Sequence, residues 1–483
     1  MDFQNLTVKD LRAKLDQKEI SAPELTKAYL ERISEKDPVV KSFITVCESS
    51  ALEQAEAAQQ RIDAGEAAPL TGIPFGIKDN ICTQGVRTTC ASKMLEDFVP
   101  PYQATVMEKL YEQDIVMLGK LNMDEFAMGG STATSYFAKT VNPYDNSKVP
   151  GGSSGGSAAC VSASMAPVAL GSDTGGSIRQ PASFCGVTGL KPTYSSVSRF
   201  GLVAFASSLD QIGPIANSAY DCGTVFNSIC GFDLHDGTTS RHQHGDALSL
   251  VGQSVAGLKI AVPKEFFEAG IDDEVKKSVY AAIKAYEAMG AKAVEVSMPS
   301  LKYAIPAYYL ISSAEASSNL SRYDGIKYGY RAEGEEDYNA LIRKTRDEGF
   351  GTEVKRRILL GTYALASGYY DAYYKKALYL KGRIREEYNA IFKECDVMVT
   401  PTAPSTAFGF DEGISDPAKM YLADICTVTV NIAGLPAIST PCGYDKNGMP
   451  IGMSIVGKAF DEARIIQLAD AFERDFKRVA PVL

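Results

Sequence analysis

Histidine is nearly absent from this 483-residue chain: His235, His242 and His244 are the only three, all inside the polar stretch GFDLHDGTTSRHQHGD. That stretch reads as a solvated loop. A hydrolase that activates serine through imidazole needs a histidine beside its sheet. The G-x-S-x-G pattern at Gly151, Ser153 and Gly155 therefore lacks the partner a nucleophile elbow requires. Cysteines are scattered singly with no CxxC pair, which removes the spacing of a metal site and leaves them as expected small, reduced, buried side chains. No apolar run approaches the roughly 18 residues of a membrane span. The beginning MDFQNLTVKDL has no basic-then-apolar leader, so a cytoplasmic protein with no membrane partner is expected. A formal charge of -10 argues against general attraction to nucleic acid, while leaving room for a local contact or a partner that supplies one.

Ser21 and Glu24 form a capping-box pattern, and Leu11 and Leu15, then Leu25, Tyr29 and Ile33, keep the spacing of one apolar face, so residues 1–65 read as a helical preface. From Gly72 the texture changes to short apolar runs broken by glycine, IPFGI, DIVMLG and APVALG, which read as buried strands. Residues 258–296 run strand, helix, strand, the order of a parallel crossover. Residues 301–395 are predicted to be mostly helical and rich in tyrosines, whose helical spacing suits packing better than chemistry. DVMVTPTAP, PAISTPCG and PIGMSIVG read as late strands, and residues 460–477 as a closing helix. An α/β fold follows, with residues 66–483 continuous with the preface as one large domain.

The chemistry gathers in three segments. TGGSIRQ, at 174–180, follows an apolar strand. Its glycines can turn backbone N–H groups toward one point, as an oxyanion requires, and Ser177 ends the run where a nucleophile would stand. Serine needs a base within reach. Lys78 in GIPFGIKDN is the candidate, because an amine on an apolar strand loses hydration and with it basicity. GGSSGGS, at 151–157, abuts a small-residue helix and lacks the Gly-Lys-Ser or Gly-Lys-Thr ending of a phosphate loop, so linker and nucleotide readings both fit it poorly.

Taken in order, GIPFGIKDN, GGSSGGSAA and GSDTGGSIRQPA resemble the amidase signature family. The resemblance implies a large central mixed, mostly parallel sheet with helices on both faces, and a Ser-Ser-Lys triad: Ser177 as nucleophile, Ser153 as bridge after a cis peptide from Gly152, Lys78 as base. Thr174, Gly175, Gly176 and Ser177 would form the oxyanion hole. Further on, NLSRYDGIKYGYR, the run from Arg346 to Ala377 and YLADICTVTVNIAGLPAISTP resemble the glutaminase branch that serves tRNA-dependent amidotransferases. That likeness implies glutamine as substrate, with Arg357 on its carboxylate, Asp424 on its ammonium and Tyr308 as a further pocket contact. It implies two partner subunits as well, one binding Glu-tRNA(Gln) and using ATP and magnesium, the other a small clasp. No cofactor is expected in this chain itself. A stand-alone small-molecule amidase is the alternative, and a non-catalytic scaffold is disfavoured by the intact Lys78, Ser153 and Ser177.

Overall fold

The structure is a computed structural model that describes residues 6–268, 270–335, 337–414 and 421–483. Its helical preface starts where the caps say it should. The Ser21 N–H donates to Glu24 Oε2 at 2.9 Å and the Ser21 hydroxyl accepts from the Glu24 N–H at 3.3 Å, opening the helix Ala22–Val40. A second capping box, Thr7 with Asp10, opens Val8–Asp16. Leu11, Leu15, Leu25, Tyr29 and Ile33 are all buried, in a core continuous with the rest of the chain. The preface is not purely helical, however, since Phe43–Val46 forms a strand; its first five residues lie outside those described.

Eleven strands make one sheet: β1 (Phe43–Val46), β2 (Pro74–Lys78), β3 (Val116–Leu121), β4 (Val168–Asp173), β5 (Thr188–Lys191), β6 (Gln211–Ala216), β7 (Lys259–Pro263), β8 (Lys292–Val296), β9 (Val397–Pro401), β10 (Ala437–Tyr444) and β11 (Pro450–Val456). They lie in the order β1-β3-β2-β4-β6-β5-β10-β11-β9-β7-β8. The sheet is mixed as expected, but it is not mostly parallel. Among the described residues β2 runs parallel to β3 and β4, and β7 to β8 and β9, while the six other neighbouring pairs are antiparallel. Two of those six join β11 to β10 and β9, and the other four come from three strands the sequence concealed. β1 and β5 are four residues each, and β6 (QIGPIA) carries Pro214 and Gly213 where a central strand seldom does. Every pairing these three make is antiparallel.

The parallel crossover at 258–296 is present, with β7 and β8 joined by the helix Asp273–Ala288. The tyrosine-rich region forms the helices Ala304–Asn319, Tyr338–Gly349, Thr352–Leu365 and Tyr374–Glu394. Its tyrosines divide: Tyr308 and Tyr309 are buried, whereas Tyr363, Tyr369, Tyr370, Tyr373 and Tyr379 are exposed. No helix among the described residues is long and apolar enough to cross a membrane.

What positions the chemistry is the parallel pair β2 and β4, in register from Phe75 opposite Val168 to Ile77 opposite Leu170. Their carboxyl ends therefore emerge side by side, the place where open α/β sheets bind ligands. Lys78 ends one strand, and the other runs through Ser172 and Asp173 into the Thr174–Ser177 loop. The helix Gly155–Ser162, buried throughout, brings the second serine cluster against the same spot.

Candidate active site

Lys78 is fully buried and ringed by hydroxyls. Its Nζ lies 2.7 Å from Ser153 Oγ, 2.8 Å from Ser154 Oγ and 2.9 Å from Ser172 Oγ, with the Ser172 carbonyl at 3.3 Å. The hydrogens around it can be counted. Ser154 donates its own hydroxyl hydrogen to the Ser172 carbonyl at 3.1 Å, and Ser172 Oγ already accepts from Asn80 Nδ2 at 2.9 Å. Two N–H bonds of a neutral amine would go to Ser154 and Ser172, leaving the lone pair for the Ser153 hydroxyl. Burial pushes the Lys78 pKa down to about 7, against the opposing pull of Asp124, Asp173 and Asp210, so an unprotonated amine is accessible near neutrality.

The Gly152–Ser153 peptide is cis. The Ser154 N–H donates to the Ser177 carbonyl at 3.1 Å, which stitches the two serine segments together. Ser153 is inaccessible, Ser177 is 8% exposed, and among the described residues no hydrogen bond holds the Ser177 hydroxyl. The loop carrying it is shaped by a buried buckle. Arg179 donates through Nε to Asp173 Oδ2 at 3.0 Å and through Nη2 to Asp173 Oδ1 at 3.1 Å. Asp173 also accepts the Gly176 N–H at 2.8 Å and the Ile178 N–H at 3.2 Å. Burial alone would raise the Asp173 pKa, but Arg179 overrides it and holds the carboxylate at about 2. The Gly176 N–H is thereby spent, which narrows the expected oxyanion set: the Gly175 and Ser177 N–H groups donate to no described residue. Thr174 turns its hydroxyl away to Asp210 at 2.7 Å. Only glycine suits position 176, with φ at 135°, and only glycine lets the ring of Tyr308 lie against position 175, where a Cβ would come within 2.4 Å of Tyr308 Cζ.

The second half of the region stands around Tyr308. Arg357 is buried, donates through Nε to Glu353 Oε1 at 2.7 Å, and places its guanidinium carbon 4.5 Å from the Tyr309 ring centre and 5.1 Å from that of Tyr421. Its Nη nitrogens are committed to no carboxylate among the described residues. The Tyr309 hydroxyl donates to Asp424 Oδ2 at 2.7 Å. Burial pushes the Asp424 pKa up to about 7, although the Tyr309 hydroxyl and Arg357 oppose the shift. Thr427 links the halves: its hydroxyl donates to the Gly175 carbonyl at 2.5 Å and lies 3.1 Å from the Asp424 carbonyl. A cation, an acid and a serine flanked by free N–H groups thus converge.

Lys78, Ser153, Thr174, Gly175, Gly176, Ser177, Tyr308, Arg357 and Asp424 are all brought into this one region. The sequence reading missed Ser154 and Ser172 around the amine, the Asp173–Arg179 buckle, and Thr427. Asp173 and Arg179 bracket the TGGS loop within GSDTGGSIRQ, and a paired acid and base at the two ends of a glycine turn is the signal that could have found them. The histidines stay outside. His235 pairs with Asp233, and His242 stacks on Phe460 at 4.4 Å.

The Amidase family model matches residues 24–466. The A subunit of the glutamyl-tRNA(Gln) amidotransferase from Ruminiclostridium cellulolyticum is 60% identical over 477 residues, covering 99% of this chain and 98% of the relative. Its counterpart from Caldanaerobacter subterraneus subsp. tengcongensis is 57% identical with the same coverage. The crystal structure of the corresponding glutamyl-tRNA(Gln) amidotransferase protein from Thermotoga maritima matches with a TM-score of 0.81 at 43% identity, over 98% of this chain and 96% of that one. A peptide amidase in complex with chymostatin matches with a TM-score of 0.84 at 27% identity, over 100% of both chains.

Proposed function

This chain belongs to the amidase family, and from that premise we propose that it is the glutaminase subunit of a tRNA-dependent amidotransferase, supplying ammonia for the conversion of Glu-tRNA(Gln) to Gln-tRNA(Gln). Glutamine is zwitterionic at one end and a primary amide at the other, so its site must offer a cation, an anion and a nucleophile at fixed separations. Arg357 takes the α-carboxylate through its Nη edge, Asp424 takes the ammonium, and Tyr308 closes the wall beside Gly175. The observation that carries this reading is the Thr427 hydroxyl, which ties the Asp424 turn to the Gly175 carbonyl and so fixes recognition against the reacting loop.

The steps follow from the proton count. Ser153 gives its hydroxyl proton to the Lys78 amine and takes one from Ser177, whose oxygen bonds to the side-chain amide carbon. The carbonyl π pair moves to oxygen, where the Gly175 and Ser177 N–H groups meet it. Lys78 then returns its proton through Ser153 to the amide nitrogen, the C–N bond breaks, and ammonia leaves a γ-glutamyl ester on Ser177. Water repeats the sequence, giving its proton to the relay, and frees glutamate.

Two further subunits complete this reading, one that binds Glu-tRNA(Gln) and uses ATP and magnesium, and a small one that clasps the pair. The test is glutamine-dependent amidation of Glu-tRNA(Gln), with and without this chain, in the presence of candidate partners and ATP. Amidation should require the chain, and the isolated chain should hydrolyse glutamine only weakly. Full turnover of a simple aryl amide by the isolated chain, with no gain from partners, would overturn the assignment in favour of a stand-alone amidase.

A further inference from the structure

Glu125 is 3% exposed, forms no ion pair among the described residues and takes no part in the proton relay. Its two oxygens are nonetheless both engaged. Oε1 accepts the Ser92 hydroxyl at 2.5 Å, and Oε2 accepts the Gly351 N–H at 2.8 Å. Gly351 is the N-cap of the helix Thr352–Leu365 and has no side chain with which to cap it, so a carboxylate from a distant loop closes that helix end. Ser92 Oγ also lies 3.3 Å from the Gly349 carbonyl, so Ser92 and Glu125 together sit against both residues flanking Phe350. The Phe350 ring is fixed as well, packed edge-on against Phe126 at 5.6 Å. Arg357 lies on this helix, one turn beyond Glu353, its partner.

The residue before Glu125 faces the other way. The Asp124 N–H donates to the Ser153 carbonyl at 3.2 Å, and its carboxylate accepts the Ser131 N–H at 3.1 Å and the Thr134 hydroxyl at 2.9 Å. It lies so close beneath Gly152 that a Cβ there would be 1.9 Å from Asp124 Oδ2. The backbone that carries the pair is held in an unusual conformation. Phe126 and Ala127 have φ of 49° and 62°, and the Phe126 N–H donates at 3.0 Å to Cys90, which with Ala91 has φ of 52°. Left-handed pairs of non-glycine residues, bonded to one another, persist only where the surroundings over-determine them, and they concentrate at functional sites.

Resting on the glutamine assignment above, we propose that Glu125 is a positioning residue for substrate recognition: it holds the first turn of the helix Thr352–Leu365 so that Arg357 faces the substrate carboxylate, from a turn whose neighbouring residue braces the bridging serine. Binding and proton transfer are registered to one another through two adjacent acids.

The experiment compares wild type, Glu125→Ala, Glu125→Gln and Gly351→Ala in the assembled complex with two amides, glutamine and 4-aminobutanamide, which is glutamine without its α-carboxylate. Glu125→Ala should raise KM for glutamine about tenfold or more while leaving kcat within about threefold, and should leave kcat/KM for 4-aminobutanamide within about threefold of wild type. Glu125→Gln, which keeps an acceptor for the Gly351 N–H, should restore most of the loss. Gly351→Ala places a methyl 2.3 Å from Glu125 Oε2 at an ordinary φ and should raise the glutamine KM in the same direction, which keeps the test decisive if Glu125→Ala accumulates poorly. Equal losses on both amides, or unchanged kinetics in Glu125→Ala and Gly351→Ala, would overturn the positioning role. A wild type that does not prefer glutamine to 4-aminobutanamide overturns the carboxylate assignment, and this proposal with it.

Discussion

Lys78 and Lys120 sit on neighbouring parallel strands, both inaccessible, with Lys78 opposite Leu121 and Lys120 opposite Ile77. The register sends them to opposite faces of the sheet, and there they meet different company. Lys120 donates to the Ile81 carbonyl and to Thr88 Oγ1 at 2.9 Å, and it faces the Asp79 carboxylate at 3.9 Å. Lys78 has three hydroxyls and a carbonyl, and no carboxylate within ion-pair distance among the described residues. A carboxylate neighbour favours the charged form of a buried amine, and Asp79 does so for Lys120 against the downward pull of burial on its pKa. Hydroxyls, which donate or accept equally well, solvate either protonation state and leave the charge free to change. One lysine therefore has a carboxylate that favours its charged form, and the other, on the proposed relay, has only groups that accommodate either state.

The largest effect that separates them is on rate. Lys78→Arg keeps a cation but cannot shed a proton, and it should lower glutamine turnover by about 10⁴-fold or more while the protein stays folded by circular dichroism. Appreciable activity would remove Lys78 from the relay. Lys120→Met should do the reverse. Stranding Asp79 without its cation costs about 3–5 kcal/mol of stability in urea titrations, with turnover per folded molecule little altered. The double change with Asp79→Asn should recover part of that loss, since it removes the orphaned charge. A folded Lys120→Met protein without activity would erase the distinction.

The two lysines also mark what could be read in advance. IPFGIKDN and IVMLGKLN are alike in texture, each a lysine near the end of an apolar run, and only the company of two serine-glycine clusters selected Lys78. The long apolar strands β2, β3, β4 and β9 to β11 were legible because burial on both faces writes itself as an unbroken hydrophobic run. β5 and β6 were not. TGLK and QIGPIA are short and carry glycine or proline, and they are strands because antiparallel neighbours on both sides complete their ladders. The same limit hid Ser154 and Ser172. Their role depends on where a lysine 94 positions before Ser172 comes to lie, which spacing along the chain does not encode. Arg357 and Asp424 needed the family likeness, because an arginine on a helix and an aspartate in a turn are commonplace until an aromatic cage and a buried hydroxyl surround them.

A pH profile sharpens the comparison next. Lys78 and Asp424 both stand at about 7, the first lowered by burial and the second raised by it. On the proposed roles, as pH falls through 7 the amine gains a proton and stops serving as base, and the Asp424 carboxylate of the free enzyme gains one and stops attracting the substrate ammonium. Both changes reduce kcat/KM in the same direction, so the acid limb should approach a slope of two in log units per pH unit. Asp424→Asn should lower kcat/KM and reduce the limb to a slope near one, leaving the lysine alone to titrate. A wild-type limb of slope one that Asp424→Asn does not alter would mean that only one of the two groups titrates in the working range.

The smallest effect probes the hydroxyl ring itself. Ser154 accepts from Lys78 at 2.8 Å while giving its own hydrogen to the Ser172 carbonyl, so it must be an acceptor toward the amine. Ser154→Ala leaves one amine N–H without that acceptor and frees the lone pair to turn away from Ser153. Losing a single neutral hydrogen bond of this kind costs about 1 kcal/mol, or roughly five- to tenfold in rate. The loss should fall on kcat, because Ser154 touches no part of the recognition half, and KM for glutamine should stay within about twofold. A KM change with kcat preserved would mean that the ring around Lys78 shapes the pocket and does not aim the base.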